Sequence, residues 1–287
     1  MLIANGWKDY EVLSTGDGYK LERWKDVVLL RPDPQVIWKS ENDITKLDCD
    51  AKYLRSEKGG GKWEFYKDIP DEWVISYKEL KFKVKPMGFK HTGIFPEQAA
   101  NWDKTAELIS RADRPIAVLN LFAYTGGATC SCLKAGASVC HVDAAKGMVE
   151  RAGENVRLSN LADRPVRFIV DDCEKFVRRE IRRGRRYDAI IMDPPSYGRG
   201  PGGEMWKIED MLFDFVKLCS EVLSDDPLFF LINSYTTGLQ PQVLDNILTL
   251  AVKNKFGKGR VEAYEVGLPT KEGIVLPCGA GGIFINE

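Results

Sequence analysis

The chain has 287 residues, 44% apolar and 29% charged, enough for one large α/β domain with a smaller companion. Its 41 basic and 42 acidic residues leave a formal charge of −1, which excludes a protein held to nucleic acid by overall charge, so any RNA contact has to come from a local patch. The seven cysteines form no C-x-x-C pair and are odd in number, and no His/Cys grouping has ligand spacing, so neither a disulfide framework nor a metal is expected.

Residues 1 to about 80 read as a small β-rich domain. DYEVLST, GYKLERW and DVVLLR are short alternating segments, and Gly16-Asp17-Gly18 between the first two is a hairpin signal. Trp7, Trp24, Trp38, Trp63 and Trp73 all fall here and can give a small sheet a core. SEKGGGKW (56 to 63) reads as a loop whose Gly59, Gly60 and Gly61 should be mobile. WVISYKELKFKVKPMGFK (73 to 90) reads as two strands around Lys78-Glu79, the second carrying the chain across the domain boundary. The N-terminus lacks the basic and apolar regions of a signal peptide, and no apolar run approaches the ~20 residues of a membrane span, so a cytoplasmic location without membrane contact is expected.

From Phe95 the period changes. PEQAANWDKTAELISRA (96 to 112) reads as a helix with proline in its first turn. Strands at 116–122, 138–143, 166–171 and 187–193 then alternate with helices at 127–135, 145–159, 174–183 and 204–223. LFFLINS (228 to 234) is a fifth strand, VLDNILTLAVKNK a helix, and RVEAYEVGL with GGIFIN a closing pair. Such alternation argues a parallel sheet covered on both faces, with ligands collecting at the carboxyl ends of the strands.

Within this part, IAVLNLFAYTGGA (116 to 128) joins a strand to a helix through Gly126-Gly127, where backbone can approach a ligand and helix N–H groups can face it. The next strand ends in Asp143, 17 residues after Gly126, an offset at which a carboxylate can accept from both hydroxyls of a ribose. The turn is not G-x-G-x-x-G, which favours an adenosine ligand without a diphosphate over a dinucleotide. A later strand, YDAIIM, ends in Asp193-Pro194-Pro195-Ser196-Tyr197.

FAYTGG, VDAAKGMVERAGENVRLSNL and DPPSY together resemble the class I S-adenosylmethionine-dependent methyltransferases, and among these the large-subunit ribosomal RNA methyltransferases of bacteria, over about residues 81 to 287. The resemblance implies a Rossmann-like seven-stranded sheet, mostly parallel with an antiparallel last strand, behind the small β-rich domain. It implies S-adenosyl-L-methionine as donor, S-adenosyl-L-homocysteine as product, and ribosomal RNA as partner of a monomer or homodimer. Phe122, Ala123, Tyr124, Thr125 and Gly126 would line the turn beside the cofactor, with Asp143 on the ribose and Ala144 after it. Tyr124 can equally pack between helix and sheet. Asp171, Asp172 and Cys173 sit where the family contacts adenine, although Asp172 also reads as a helix N-cap. Phe95 and Gln98 lie in a segment that packs over the cofactor in the family; His91 beside them is a candidate base or a structural hydrogen-bonder.

Asp193, Pro194 and Pro195 would orient a planar amine and Tyr197 would stack on an extruded base; the alternative is a proline turn with Tyr197 in the core. SYGRGPGGEMW (196 to 206) looks like a lid, with Arg199 a phosphate contact. Relatives that methylate carbon 5 of cytosine carry a cysteine just after the fifth strand. Here the chain reads Asn233-Ser234-Tyr235-Thr236-Thr237, which turns the reading toward a nitrogen acceptor.

Two basic runs remain. LKFKVKP places Lys81, Lys83 and Lys85 on one side of a strand, with Lys83 and Lys85 candidates for a phosphate backbone. VRREIRRGRRYD (177 to 188) has six arginines but falls at the rim opposite the candidate site, as a solvated face or a distant RNA anchor. The readings left beside an RNA methyltransferase are one acting on a small molecule or protein, a non-catalytic RNA-binding or assembly module with a vestigial pocket, and a more distant NAD-binding oxidoreductase.

Overall fold

The structure is a computed structural model describing residues 1–287 except 41, 42, 57–59, 89, 200–204, 237 and 287. The chain divides into two compact units, one of Leu2–Ala100 with Val266–Cys278, the other of Met1, Asn101–Glu265 and Gly279–Glu287.

In the first unit, β1 (Leu2–Ile3) lies parallel to Val266–Gly267. Five strands, β2 (Tyr10–Gly16), β3 (Tyr19–Trp24), β4 (Val27–Pro32), β5 (Ala51–Arg55) and β6 (Gly61–Phe65), form a sheet in that order. The expected hairpin joins β2 to β3: Asp17 (φ 52°) and Gly18 (φ 82°) take the left-handed conformation that a two-residue turn requires. Gly61 does not belong to a mobile loop but opens β6 opposite Arg55; Gly59 lies outside the described residues. β7 (Trp73–Tyr77) and β8 (Leu80–Val84) form a second hairpin, whose Tyr77, Phe82 and Val84 are buried with Trp24, Leu29 and Ile75. The unit runs past residue 80, where the sequence reading set the boundary. β8 fills the core of the first unit instead of crossing out of it, and the division falls after Ala100.

The first unit also buries charge. Glu22, fully buried, accepts from Arg31 Nε at 2.5 Å and Nη2 at 2.8 Å and from Tyr10 Oη at 2.6 Å, while Lys20 reaches Asp33 at 3.1 Å. Arg31 Nη1 also donates to the Lys90 carbonyl, tying the segment before Pro96 to the sheet.

The second unit opens with α1 (Ala99–Arg111) and then alternates. In chain order come β9 (Ala117–Leu121), α2 (Gly127–Lys134), β10 (Ser138–Asp143), α3 (Lys146–Leu158), β11 (Val166–Val170), α4 (Cys173–Arg182) and β12 (Ala189–Met192). A short ribbon of β13 (Tyr197–Arg199) and β14 (Met205–Lys207) precedes α5 (Ile208–Ser220), β15 (Phe229–Ser234), α6 (Pro241–Leu248) and α7 (Asn254–Phe256). β16 (Arg260–Pro269) and β17 (Val275–Ile285) carry the chain out of this unit and back. Among the described residues the sheet has eight strands in the order β1-β16-β17-β15-β12-β9-β10-β11, the two-residue β1 pairing at the edge with the end of β16. β15, β12, β9, β10 and β11 pair in parallel, and β17 runs antiparallel to β15, as the resemblance implied.

β12 and β15 are buried at every position, the signature of strands covered on both faces. On one face Leu119, Leu121, Ile190, Met192, Phe230 and Ile232 pack against Phe176, Val177, Phe215 and Val216 of α4 and α5. The cysteines, at positions 49, 130, 132, 140, 173, 219 and 278, are free and buried. Among the described residues no helix is long and apolar enough to cross a membrane, and no group of three or more His, Cys, Asp or Glu could hold a metal ion.

Candidate active site

The site is built where β9, β10, β11 and β12 end. After Leu121 the backbone turns through three left-handed residues, Phe122 (φ 52°), Tyr124 (φ 49°) and Gly126 (φ 83°). Two of them carry side chains, each at a cost of roughly 1–2 kcal/mol that the surroundings have to offset. The surroundings do so with hydrogen bonds. Tyr124 N–H donates to Asp143 Oδ2 at 2.8 Å, Asn155 Nδ2 donates to the Thr125 carbonyl at 2.9 Å, and Phe122 N–H reaches Cys173 Sγ at 3.3 Å. A Cβ on Gly126 would stand 2.9 Å from Ala152 Cβ, and one on Gly127 would run into the Trp102 indole. Glycine here serves close helix packing as well as the turn.

Beneath the turn, His141 is fully buried in β10. Asn120 Nδ2 donates to Thr129 Oγ1 at 2.9 Å, and the same hydroxyl hydrogen-bonds His141 Nδ1, also at 2.9 Å. Burial holds its pKa down at about 4, so the imidazole is neutral.

Asp143 is half-buried at the end of β10, and its second oxygen accepts from Ala145 N–H at 2.9 Å. Each carboxylate oxygen thus takes one backbone donor and keeps capacity for another, a pair of acceptors that suits a cis-diol. Ala144 is exposed beside it, and Val170, paired with Asp143, is 50% exposed and gives an apolar surface at the same level. Asp171 accepts from Asp172 N–H and forms an ion pair with Arg179; Asp172 caps α4 by accepting from Lys175 N–H at 2.9 Å. Cys173 is buried, and desolvation pushes its thiol well above the usual range.

β12 delivers Asp193 next to this turn, with its N–H 3.4 Å from the Leu121 carbonyl. Asp193 is half-buried, Pro194 buried and Pro195 exposed. Tyr197 is 52% exposed and so is not a core residue. The expected lid is a two-stranded ribbon where it is described: Tyr197, Gly198 and Arg199 pair with Lys207, Trp206 and Met205. Residues 200–204 and the Arg199 side chain lie outside the description. The helix expected from 204 starts at Ile208, because Met205–Lys207 is taken by the ribbon.

Sequence reading missed Trp206. Its Nε1–H donates to the Pro195 carbonyl at 2.6 Å, and its ring lies 5.6 Å from Phe122 and 5.6 Å from Phe215. It also missed the contact between Ser196 and Thr236, whose hydroxyls lie 2.5 Å apart and link the loops after β12 and β15. Asn101, on α1, donates to Asn233 Oδ1 at 2.7 Å and accepts from Tyr264 Oη at 2.7 Å. None of these pairs leaves a local period in the sequence.

Five of the candidate residues, Lys83, Lys85, His91, Phe95 and Gln98, belong to the first unit. Phe95 precedes the short helix Pro96–Gln98 and packs edge-on against His91 at 5.2 Å; Gln98 N–H donates to the Phe95 carbonyl. Burial, then the charges of Arg31, Lys90 and Lys20, lower the His91 pKa to about 4. Lys83 forms an ion pair with Glu72 at 2.9 Å, and Lys85 is half-buried with its N–H on the Thr92 carbonyl.

Residues 54–225 match the family described as S-adenosylmethionine-dependent methyltransferase. The chain belongs to that family. An S-adenosylmethionine-dependent methyltransferase from Agrobacterium tumefaciens of known crystal structure is 32% identical, with a TM-score of 0.91 over 98% of this chain and 92% of that one. Ribosomal RNA large subunit methyltransferase K of Neisseria meningitidis is 25% identical over 246 residues, 82% of this chain and 67% of that protein. A Methanocaldococcus jannaschii protein provisionally named a ribosomal RNA large subunit methyltransferase is 30% identical over 191 residues, 63% of this chain. The matched stretch spans 45% of that relative's length. The paired acceptors of Asp143 and the packed glycine turn fit the adenosine-containing cofactor that this family uses.

Proposed function

We propose that this methyltransferase transfers the methyl group of S-adenosyl-L-methionine to a base of ribosomal RNA, with nitrogen as the acceptor. The observation that carries the reading is the placement of Asp193-Pro194 against the end of β9, beside the cofactor turn, with an exposed Tyr197 three residues on. Asp143 would hold the ribose, Phe122 to Gly126 the methionine portion, and Asp171, Asp172 and Cys173 the adenine side. The bound cofactor supplies an activated methyl on a sulfonium.

The chain's own residues supply positioning, which accounts for much of the rate in such transfers. Asp193 and the Pro194 carbonyl both accept hydrogen bonds, so together they orient an exocyclic amine and point its lone pair away from the loop. Stacking on Tyr197 is favourable by ~1–3 kcal/mol and would hold the extruded base in that plane. The names of the Neisseria and Methanocaldococcus relatives support ribosomal RNA as the substrate. A nitrogen acceptor is supported by the buried cysteines: attack on carbon 6 of a pyrimidine needs an accessible thiolate, and burial pushes the thiols of Cys173, Cys219 and Cys278 upward.

Asp193→Ala tests the assignment. Transfer to RNA should be abolished while calorimetry gives an S-adenosylmethionine affinity within a few-fold of wild type. Loss of both together would make Asp193 a cofactor ligand instead. Mass spectrometry of ribosomal RNA nucleosides from cells with and without the gene identifies the modified base.

A further inference from the structure

Arg164, Arg167, Arg182, Arg183, Arg185 and Arg186 are all exposed and crowd the amino-end rim of the sheet, where β11 begins, α4 ends and the loop to β12 runs. One buried carboxylate ties these elements together. Glu180 accepts from Tyr187 Oη at 2.6 Å and draws in Arg183 at 3.1 Å and Arg167 at 3.8 Å. At the other end of α4, Glu174 and Asp171 are engaged by Arg178 and Arg179. Arg164, Arg182, Arg185 and Arg186 have no carboxylate within 4.0 Å among the described residues. Lys255 donates to the Ser220 carbonyl at 2.6 Å; burial and then the charge of Arg186 lower its pKa against the pull of Glu221 and Asp225.

Structural needs account for only part of this. The carboxyl end of α4 is served by one or two cations, and the edge strand β11 is blunted by Arg167 alone. The surplus consists entirely of arginine, whose planar fork matches a phosphate through two parallel hydrogen bonds. Residues 187–193 separate the rim from Asp193, roughly 20 Å at about 3.3 Å per residue, so a single ligand reaching both has to be a polymer. We infer that the rim is a second docking surface for the phosphodiester backbone of the RNA whose base is presented at Asp193. The inference rests on the RNA reading of the active site.

The test compares the full-length wild type with an Arg182→Ala/Arg185→Ala/Arg186→Ala variant, using unmodified large-subunit ribosomal RNA transcribed in vitro and radiolabelled S-adenosylmethionine. The variant should show a KM for RNA raised at least tenfold, with kcat, cofactor affinity and unfolding midpoint unchanged. Between about 50 and 200 mM salt, the slope of log KM against log salt should shrink by about two, at ~0.7–0.9 per lost phosphate contact. Arg→Lys replacement at the same three positions should keep most of that slope, since the charge remains. A variant matching wild type in KM and slope, on RNA that the wild type methylates, overturns the inference and leaves the RNA reading standing. If the wild type instead methylates only a protein or small molecule, the RNA reading itself fails and this surface with it.

Discussion

The indole N–H of Trp206 donates to the Pro195 carbonyl at 2.6 Å, while the same ring packs 5.6 Å from Phe122 in the cofactor turn. One side chain therefore sets the spacing between the glycine turn and the diproline loop, which in the proposed function bring donor and acceptor together. Trp206→Phe keeps the ring and removes the donor. One hydrogen bond of about 1.4 kcal/mol corresponds to a tenfold fall in kcat, with S-adenosylmethionine affinity within twofold. Trp206→Ala, which also removes the packing, should lose cofactor affinity as well. Steady-state kinetics paired with calorimetry separates the two.

Asp143 already anchors Tyr124 N–H and Ala145 N–H, so Asp143→Asn does more than remove a charge. Its amide turns one of the two acceptors into a donor facing an N–H. Calorimetry should show S-adenosylmethionine binding weakened by at least tenfold, at ~1.5–3 kcal/mol for a charged hydrogen bond. Unchanged binding would remove Asp143 from the cofactor site.

Both histidines have pKa values lowered to about 4. An unfolded histidine titrates near 6.5, so the unfolded chain takes up protons first as the solution is acidified. The stability each neutral ring contributes is full above about pH 6.5 and is lost progressively down to about 4, amounting to ~3 kcal/mol for the fully buried His141. His141→Asn, which can keep an acceptor toward Thr129, should remove about half of this acid-side slope in urea titrations across that window. An unaltered slope would show that His141 is not the titrating group.

In the first unit, Arg31→Met strands Glu22 in the core with Tyr10 and the more distant Lys20 at 3.7 Å. The loss should be ~3–5 kcal/mol in chemical denaturation, and Glu22→Gln combined with Arg31→Met should recover most of it, because burying one unpaired charge costs more than burying none. Equal destabilisation by the single and double variants would locate the cost in packing.

Much of the fold was legible because its signals are local. Apolar runs such as Phe229–Ser234, buried at every position, announce strands covered on both faces, and Asp17-Gly18 announces its turn through the left-handed backbone it adopts. The candidate loops were visible for the same reason: glycine or diproline at the end of an apolar run constrains backbone angles within a few residues. The boundary after Ala100 was not legible. Leu80–Val84 has the same alternation whichever core it fills, and only the packing of Phe82 assigns it.

By itself, then, the sequence determined the alternation of strands and helices from residue 96 onward, apart from the β13–β14 ribbon, together with the position of the glycine turn and the carboxylates at the strand ends, since each depends on neighbours within one turn or one strand. Tertiary structure alone decided that Trp206 closes on Pro195, that Asn101 meets Asn233 across 132 residues, and that Arg167 and Arg183 share Glu180. Those pairings depend on how separate elements pack, and a hydrogen bond between distant residues imposes no period on the chain between them.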